Sequence, residues 1–239
     1  MTKKPETAEK SEPSALSRLV DAALTHVPFD GWSSATFKAA VADSGIDPAE
    51  AKSLAPRGGY DLAIAFHKAG DARLSAMVAE MDLESLRYSD RVTKLVRTRL
   101  ELVEKDKEAV RRGATLFALP IHAADGAKLV WNTADTIWNA LGDTSRDYNW
   151  YTKRAILSGV YSSTTLFWLG DQSEGADATW AFLDRRIGDV MQFEKTKAKL
   201  KDNKLAQLLM AGPKLMLSPI RAPGAAETGL PVGLPGRRR

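Results

Sequence analysis

Near the middle of the chain, the adjacent residues Trp150 and Tyr151 follow Asp147 by three and four positions and precede Arg154 by four and three positions. In a helix this spacing places their side chains along one stripe of the surface. Two large aromatic residues beside an acid and a base are typical of a protein-binding surface, because Trp, Tyr and Arg dominate binding hot spots. The same spacing also fits aromatic side chains that only pack on a neighbouring helix, and the residues alone leave both interpretations open.

Residues for metal or nucleophilic chemistry are scarce in this sequence. The 239 residues include no cysteine and three histidines, which excludes disulfides, thiolate metal sites and a cysteine nucleophile. The phosphate loop, the dinucleotide-binding glycine pattern, the nucleophile elbow and the paired-histidine zinc helix are all missing. None of His26, His67 and His122 follows a glutamate by three positions, as a di-iron carboxylate site requires. We therefore predict no catalytic residues, no metal site and no cofactor.

The positive charge is concentrated at the C-terminal end. Residues 195 to 239 carry ten basic and two acidic side chains, net +8, so the preceding residues sum to −4 within the total of +4. Within residues 197 to 218, lysines flank an apolar stripe, which is typical of an amphipathic helix on a membrane surface. A last helix docked on the fold is the alternative. The membrane-contact candidates are Lys201, Lys204, Leu205, Leu208, Leu209 and Met216.

The segments that must position these residues show the periodicity of α-helices. Apolar residues recur at intervals of three and four, and strand-type alternation and Asn-Gly hairpin turns are missing, so we predict an all-α fold of about ten helices. Residues 1 to 13 and 219 to 239 are polar or rich in Gly, Pro and Arg, and we expect them to be disordered. The helical windows are 14 to 26, 33 to 44, 48 to 54, 60 to 81, 84 to 110, 111 to 119, 127 to 141, 146 to 169 and 175 to 192.

The opening helices have the spacing of a helix-turn-helix. The window 33 to 44 ends at Gly45, and a short helix begins after Asp47 with Pro48 at its first position. Residues 31 to 66 carry three basic and four acidic side chains, and a surface with this charge would be repelled by DNA. We therefore favour a scaffold role for this motif and expect no nucleic-acid partner.

Several segments resemble a known family. The strongest match is DYNWYTKRAILSGVYSSTTLFWLGD at 147 to 171, extended by TWAFLDRRI at 179 to 187, ADTIWNALGD at 134 to 143 and the N-terminal ALTHVPFDGWS. Over about residues 15 to 215 the chain resembles the Coq-nine family of ubiquinone-biosynthesis accessory proteins. It departs from the family at Pro213, which interrupts the last helix, and at Thr165, where the family often carries an acid.

The resemblance implies a TetR-family-like fold without a DNA-binding role. Helix-turn-helix-like N-terminal helices would span residues 14 to 82, and a helical ligand-binding domain would span 83 to 196. The resemblance also implies a homodimer, an apolar cavity for isoprenoid or quinone-like lipids, and a last helix that contacts membrane lipids. The Asp-x-x-Trp-Tyr motif, here Asp147, Trp150 and Tyr151, would contact the di-iron hydroxylase of ubiquinone synthesis, with Arg154 beside it.

The function that we predict is that of an accessory lipid-binding protein rather than an enzyme. It would take a quinone precursor from the membrane and present it to the di-iron hydroxylase. The alternatives are a TetR-type transcriptional regulator with a hydrophobic effector and an enzyme of lipid metabolism. The candidate lipid-binding residues are Leu116, Leu119, Ile121, Val130, Trp131, Trp138, Leu157 and Tyr161.

The N-terminal residues also bear on location. They alternate lysine and glutamate without an apolar segment, unlike a secretory signal, and they lack arginine, unlike a mitochondrial transit peptide. No run of 18 apolar residues predicts a membrane-spanning helix. We therefore predict the bacterial cytoplasm, with peripheral attachment to the inner membrane, and the mature form of a targeted protein is the alternative.

Overall fold

A computed structural model describes residues 13–146 and 148–201, with the backbone alone for 193–201. The described residues form ten α-helices and two single-turn 3₁₀-helices, at Glu104–Asp106 and Glu174–Ala176, with no strand among them. This confirms the all-α class. The helices are α1 (Ala15–Leu24), α2 (Val27–Asp30), α3 (Ser34–Ser44), α4 (Pro48–Leu54), α5 (Gly59–Val78), α6 (Tyr88–Glu101), α7 (Lys107–Phe117), α8 (Ala123–Ala140), α9 (Tyr148–Gly170) and α10 (Asp177–Lys201).

A side chain caps the start of three of the first four helices, and each of these caps lies at or next to the first residue of a predicted helical window. The Ser14 hydroxyl accepts a hydrogen bond from the Ser17 amide at 3.1 Å at the start of α1. Ser33 caps α3 in the same way, and the Asp47 carboxylate accepts from two amides of α4. Each cap satisfies an amide that has no partner inside its helix. The sequence therefore determines these helix starts locally.

The predicted helix over residues 84 to 110 is wrong, because the structure divides it. α6 ends at Glu101 and α7 begins at Lys107, with a 3₁₀ turn between them. Residues 84 to 112 contain neither glycine nor proline, so no local residue type announces the break. The side chain of Val103 is buried at this break, which turns the chain so that α6 and α7 both contribute to one core.

A single hydrophobic core joins the two predicted parts of the chain. α5 packs on α1 and α3 on one side and on α6 and α8 on the other, while α9 packs on both α8 and α10. The predicted boundary at residue 82 falls in the segment that connects α5 to α6, yet α5 supplies core residues to both sides. Completely buried members of the core are Leu19, Leu62, Leu95, Ile137 and Leu183.

The last described helix is longer than predicted. α10 continues from Asp177 to Lys201 without interruption, so residues 197 to 201 extend it rather than begin a separate helix. The remaining candidates for membrane contact lie outside the described residues: Lys204, Leu205, Leu208, Leu209 and Met216. Within residues 13–146 and 148–201, none of the helices has the length and hydropathy needed to cross a bilayer.

Candidate functional site

A cavity of about 320 Å³ lies between α5, α6, α7, α8 and α9. Its wall is mostly apolar, which is the usual composition of a small-molecule pocket. Five polar or charged residues interrupt this wall. The apolar lining consists of Trp32, Ala63, Phe66, Val103, Ala109, Val110, Ala114, Phe117, Ala118, Leu129, Val130 and Leu166. The polar lining consists of His67, Arg99, Tyr161, Ser162 and Thr165.

The mouth of the cavity is marked by lining residues that solvent reaches. Leu166 on α9 is 65% exposed, and Ala118 at the end of α7 is also exposed. Deeper lining residues, among them Phe66 and Leu129, are buried. The cavity therefore opens between the end of α7 and α9, and a long ligand could leave through this opening.

A charged pair lies beside the polar part of the wall. Nε of Arg99 donates to the Asp71 carboxylate at 2.7 Å, and Nη2 donates to the main-chain carbonyl of His67 at 2.9 Å. Arg99 is 2% exposed. The two hydrogen bonds connect α6 to α5 and hold the guanidinium at the cavity.

The ring of His67 is part of the same network. The hydroxyl of Thr133 donates to Asp71 at 2.9 Å and lies 2.9 Å from Nε2 of His67. Since the ionised carboxylate can only accept, Nε2 carries the ring proton and donates to Thr133. Burial, together with the positive charge of Arg99, lowers the pKa of His67 to about 4. The imidazole is therefore neutral at pH 7.

Two of the eight predicted lipid-binding residues lie in this cavity. Val130 and Tyr161 line its wall. Their position would allow contact with a lipid in the cavity, and that contact stays a prediction. Leu119 and Ile121 were expected in the cavity, but they are 47% and 82% exposed. They belong to the turn between α7 and α8, which includes Pro120 and leads the chain away from the interior.

The other four predicted residues also lie outside the cavity wall. Trp138 and Leu157 are buried in the core, where the indole of Trp138 donates to the carbonyl of Lys153 at 3.0 Å. Leu116 packs against the edge of the core. Trp131 contacts two aromatic rings of α9 instead. Hydrophobic periodicity identifies apolar residues but does not separate core from cavity, because both require the same residue types.

Three aromatic side chains form a second candidate site, which we name the aromatic patch: Trp131, Trp150 and Tyr151. The ring of Trp131 on α8 lies 5.9 Å from that of Trp150 and 6.3 Å from that of Tyr151, and the latter two rings are 4.8 Å apart. All three side chains are partly exposed. The structure thus adds Trp131 to the predicted patch, whereas Asp147 lies outside the described residues.

Arg154 does not lie on the surface as its spacing suggested. It is 1% exposed and donates to Asp135 at 2.5 Å and to Asp143 at 3.0 Å. Its guanidinium also lies 3.9 Å from the centre of the Trp150 ring. Arg154 is therefore a positioning residue under the patch. The helix spacing was right, but two acids from α8 and the following turn draw the guanidinium inward.

Sequence reasoning missed the Arg99–Asp71 pair as part of a site. The available signal was an arginine on the otherwise apolar stripe of α6, since a charged residue on a core face needs a partner there. Among the residues that the structure describes, no group of three or more His, Asp or Glu is arranged to hold a metal ion.

Comparison with known proteins extends these observations. The COQ9 family model matches residues 123–194, which include α8, α9 and most of α10. The ubiquinone biosynthesis protein COQ9, mitochondrial, of Rattus norvegicus is 31% identical over 80% of this chain, and that of Homo sapiens is 29% identical over 80%. The chain spans 64% and 62% of the lengths of these two relatives.

The names of these relatives correct one prediction. The rat, cattle, human and Dictyostelium discoideum proteins are all named mitochondrial. The prediction of a bacterial cytoplasmic protein attached to the inner membrane is therefore wrong. The absence of arginine near the N-terminus did not indicate the location, because composition at one end of a chain is weak evidence of where a protein resides.

A solved structure confirms the predicted fold. The crystal structure of the TetR transcriptional regulator from Nitrosomonas europaea ATCC 19718 matches with a TM-score of 0.60 over 74% of this chain and 97% of that chain, at 20% identity. This similarity establishes a TetR-like fold and, at such low identity, nothing about function. In sequence, the chain is similar to COQ9 proteins, and this similarity extends over 80% of its residues.

Proposed function

We propose that this protein takes part in ubiquinone biosynthesis as an accessory lipid-binding protein. It binds an isoprenoid or quinone-precursor lipid in the cavity and hands it to the di-iron hydroxylase, without catalysis of its own. The mostly apolar cavity of about 320 Å³ is the observation that carries the proposal. The relatives' role in ubiquinone biosynthesis supports the choice of pathway.

The physical basis is the cost of exposing a lipid to water. Each methylene group that leaves water contributes about 0.8 kcal/mol, so an apolar wall favours even a short segment of a lipid tail. The mouth between Ala118 and Leu166 allows the rest of a longer tail to remain outside. A carrier of this kind lowers the barrier to moving a lipid between a membrane and an enzyme.

Lipid extraction from the purified protein tests the proposal. We expect mass spectrometry to find a series of polyprenylated phenol or quinone masses. Ala114→Phe, which fills the cavity from α7, should reduce the bound amount at least tenfold. Thr115→Phe is the matched control, because Thr115 is the exposed neighbour on the same helix and does not line the cavity. Wild-type protein without lipid, or equal lipid in both variants, would contradict the proposal.

The aromatic patch is the surface that we propose for the hydroxylase. Its three rings are partly exposed and held together, and Arg154 lies beneath one of them. Trp150→Ala with Tyr151→Ala should abolish binding of the purified hydroxylase in a pull-down while the Tm changes little. Phe29→Ala, which removes an exposed aromatic ring from α2, serves as the control and should bind normally. Retained binding by the double variant would exclude the patch.

Membrane contact and dimer formation belong to the same proposal. Removal of residues 199 to 239 should abolish flotation of the protein with anionic liposomes, because this segment contains the lysines and the apolar stripe. Flotation of the shortened protein would contradict that role. Sedimentation of the full chain should give the mass of a dimer, and a monomer mass would exclude the dimer.

A DNA-binding role is tested by gel shift. The basic residues near the second helix of the helix-turn-helix are already engaged, since Nζ of Lys52 donates to the carbonyl of Pro56 and Arg57 pairs with Asp61 at 2.7 Å. With these two cations engaged, the surface around this helix attracts phosphates weakly. We expect no sequence-selective shift at low salt, and a selective shift would favour the regulator.

A further inference from the structure

We propose that Arg99 and Tyr161 form a binding site for the head group of the lipid, and that this head carries a neutral oxygen acceptor such as a ring carbonyl. The inference rests on the proposed lipid-binding function and specifies the chemical class of the ligand. The two residues come from α6 and α9, and both line the cavity. The site therefore lies inside the cavity rather than at its mouth.

Arg99 has donors that the described protein does not use. A guanidinium carries five N–H groups. Within residues 13–146 and 148–201, two of them meet an acceptor, the Asp71 carboxylate and the carbonyl of His67. An N–H group without an acceptor beside an apolar wall is poorly solvated, and an oxygen atom of a ligand in the cavity would supply the acceptor.

The fold makes room for this guanidinium. A Cβ atom added at Gly70 would lie 2.5 Å from Cζ of Arg99, so any side chain there would displace the guanidinium. Glycine inside a helix is destabilising by roughly 0.5–1 kcal/mol relative to alanine. Gly70, near the middle of α5, therefore makes the helix less stable than alanine would, but it leaves the space that the Arg99 guanidinium occupies. A simple core contact would be served as well by an apolar residue.

The charges around the site favour a neutral head group. Asp71 already compensates the charge of Arg99, and the other lining residues include no lysine and no second arginine. His67 adds no charge at pH 7, since its pKa is lowered to about 4 by burial and by Arg99. A phosphate would bring an uncompensated negative charge close to Asp71 in an apolar cavity. A carbonyl, ether or phenol oxygen accepts hydrogen bonds without this penalty.

The size of the cavity agrees with a ring-sized head. A volume of about 320 Å³ equals roughly ten water molecules at about 30 Å³ each, enough for one substituted ring and a few tail carbons. The remaining tail must leave past Leu166 at the mouth. A head held in this way is shielded from the partner enzyme, so hand-over requires the ligand to leave the cavity.

Three ligands with equal tails test the head-group chemistry on the full-length wild-type protein. Equilibrium dialysis compares a ubiquinone analogue with a ten-carbon alkyl tail, decylbenzene and decyl phosphate. A wall that offers only apolar contacts prefers decylbenzene, because its head loses no hydration. We expect the quinone to bind at least tenfold more tightly than either of the others. Tighter binding of decylbenzene or of decyl phosphate would overturn the inference. Failure of all three ligands to bind would instead contradict the proposed lipid-binding function.

A charge-neutral double variant then locates the site. Arg99→Met with Asp71→Asn removes both charges together and keeps an acceptor for Thr133. It should weaken quinone binding about tenfold or more and leave decylbenzene binding unchanged, because one hydrogen bond from a charged donor accounts for such a factor. Val110→Ala, a change in the apolar wall, should weaken both ligands alike. Unchanged quinone binding in the double variant would overturn the inference, and Tyr161→Phe provides the same test if that variant fails to fold.

Discussion

The guanidinium of Arg154 lies 3.9 Å from the centre of the Trp150 ring while it donates hydrogen bonds to Asp135 and Asp143. One buried cation thus connects the interior of the C-terminal helices to the exposed aromatic patch. The carboxylate of Asp143 is 2% exposed and accepts from Lys153 as well, at 2.7 Å. The orientation of Trp150 therefore depends on the ion-pair network beneath it.

Arg154→Ala should destabilise the protein strongly. It leaves Asp135 without its cation and Asp143 with Lys153 alone, and loss of one member of a buried ion pair typically costs about 3–5 kcal/mol. Urea unfolding followed by circular dichroism measures the change. Lys128→Ala, on the exposed face of α8, is the control and should stay within about 0.5 kcal/mol. A loss below about 1 kcal/mol for Arg154→Ala would show that the network is not stabilising.

Acid should weaken the fold through Asp143. Burial raises the pKa of this carboxyl, but hydrogen bonds from Lys153, Ser145 and Arg154 outweigh burial and lower it to about 2. Because the folded-state pKa lies below the unfolded value of 3.8, the stabilisation is present at neutral pH and is lost as the pH falls from about 5 to about 2. It amounts to about 2 kcal/mol.

Urea unfolding at pH 6 and pH 2.5 measures this dependence. Asp143→Asn should unfold more easily at pH 6 and lose less stability on acidification than the wild type. Asp189→Asn, at an exposed ion pair with Arg186, should lose as much free energy of unfolding between pH 6 and pH 2.5 as the wild type does. An equal loss of the free energy of unfolding on acidification in the wild type and in Asp143→Asn would contradict the role of Asp143.

His67 should produce a separate loss of stability at higher pH. Burial and Arg99 lower its pKa in the folded protein to about 4, whereas an unfolded histidine takes up a proton near 6.5. The unfolded chain therefore binds more protons between these values, and the free energy of unfolding falls as the pH drops from about 6.5 to 4, by roughly 2–3 kcal/mol. His67→Gln should reduce the pH dependence of the free energy of unfolding between pH 6.5 and 4. His26→Gln, at a more exposed histidine, should leave this pH dependence unchanged. An unchanged slope in His67→Gln would contradict the assignment.

Two glycine substitutions inside helices should have opposite effects. Gly188→Ala on α10 meets no atom within 4 Å and should stabilise the protein by roughly 0.5–1 kcal/mol, the usual helical preference for alanine. Gly70→Ala places a Cβ 2.5 Å from Arg99 and should destabilise it by about 1–3 kcal/mol through displaced hydrogen bonds. Thermal melts of both variants measure the difference. A stabilising Gly70→Ala would show that Arg99 can move at little cost.

The amino-acid sequence by itself determined the features that depend on neighbouring residues. Ser14, Ser33 and Asp47 cap their helices, and Gly45 ends α3 with a φ of 65°, because capping and left-handed turns need only the local chain. The spacing of Trp150, Tyr151 and Arg154 on one helix was fixed in the same way. The all-α class and the family resemblance followed from patterns of this kind, and the comparisons confirmed both.

Only the tertiary structure decided which residues meet across helices. The burial of Arg154 depends on Asp135 and Asp143, and the break after α6 on how Val103 packs. The cavity includes Val130 but not Leu119 or Ile121, because the same apolar residue type can face a core, a cavity or solvent. Contacts between residues far apart in the chain determine these positions, and the periodicity of a single helix does not predict such contacts.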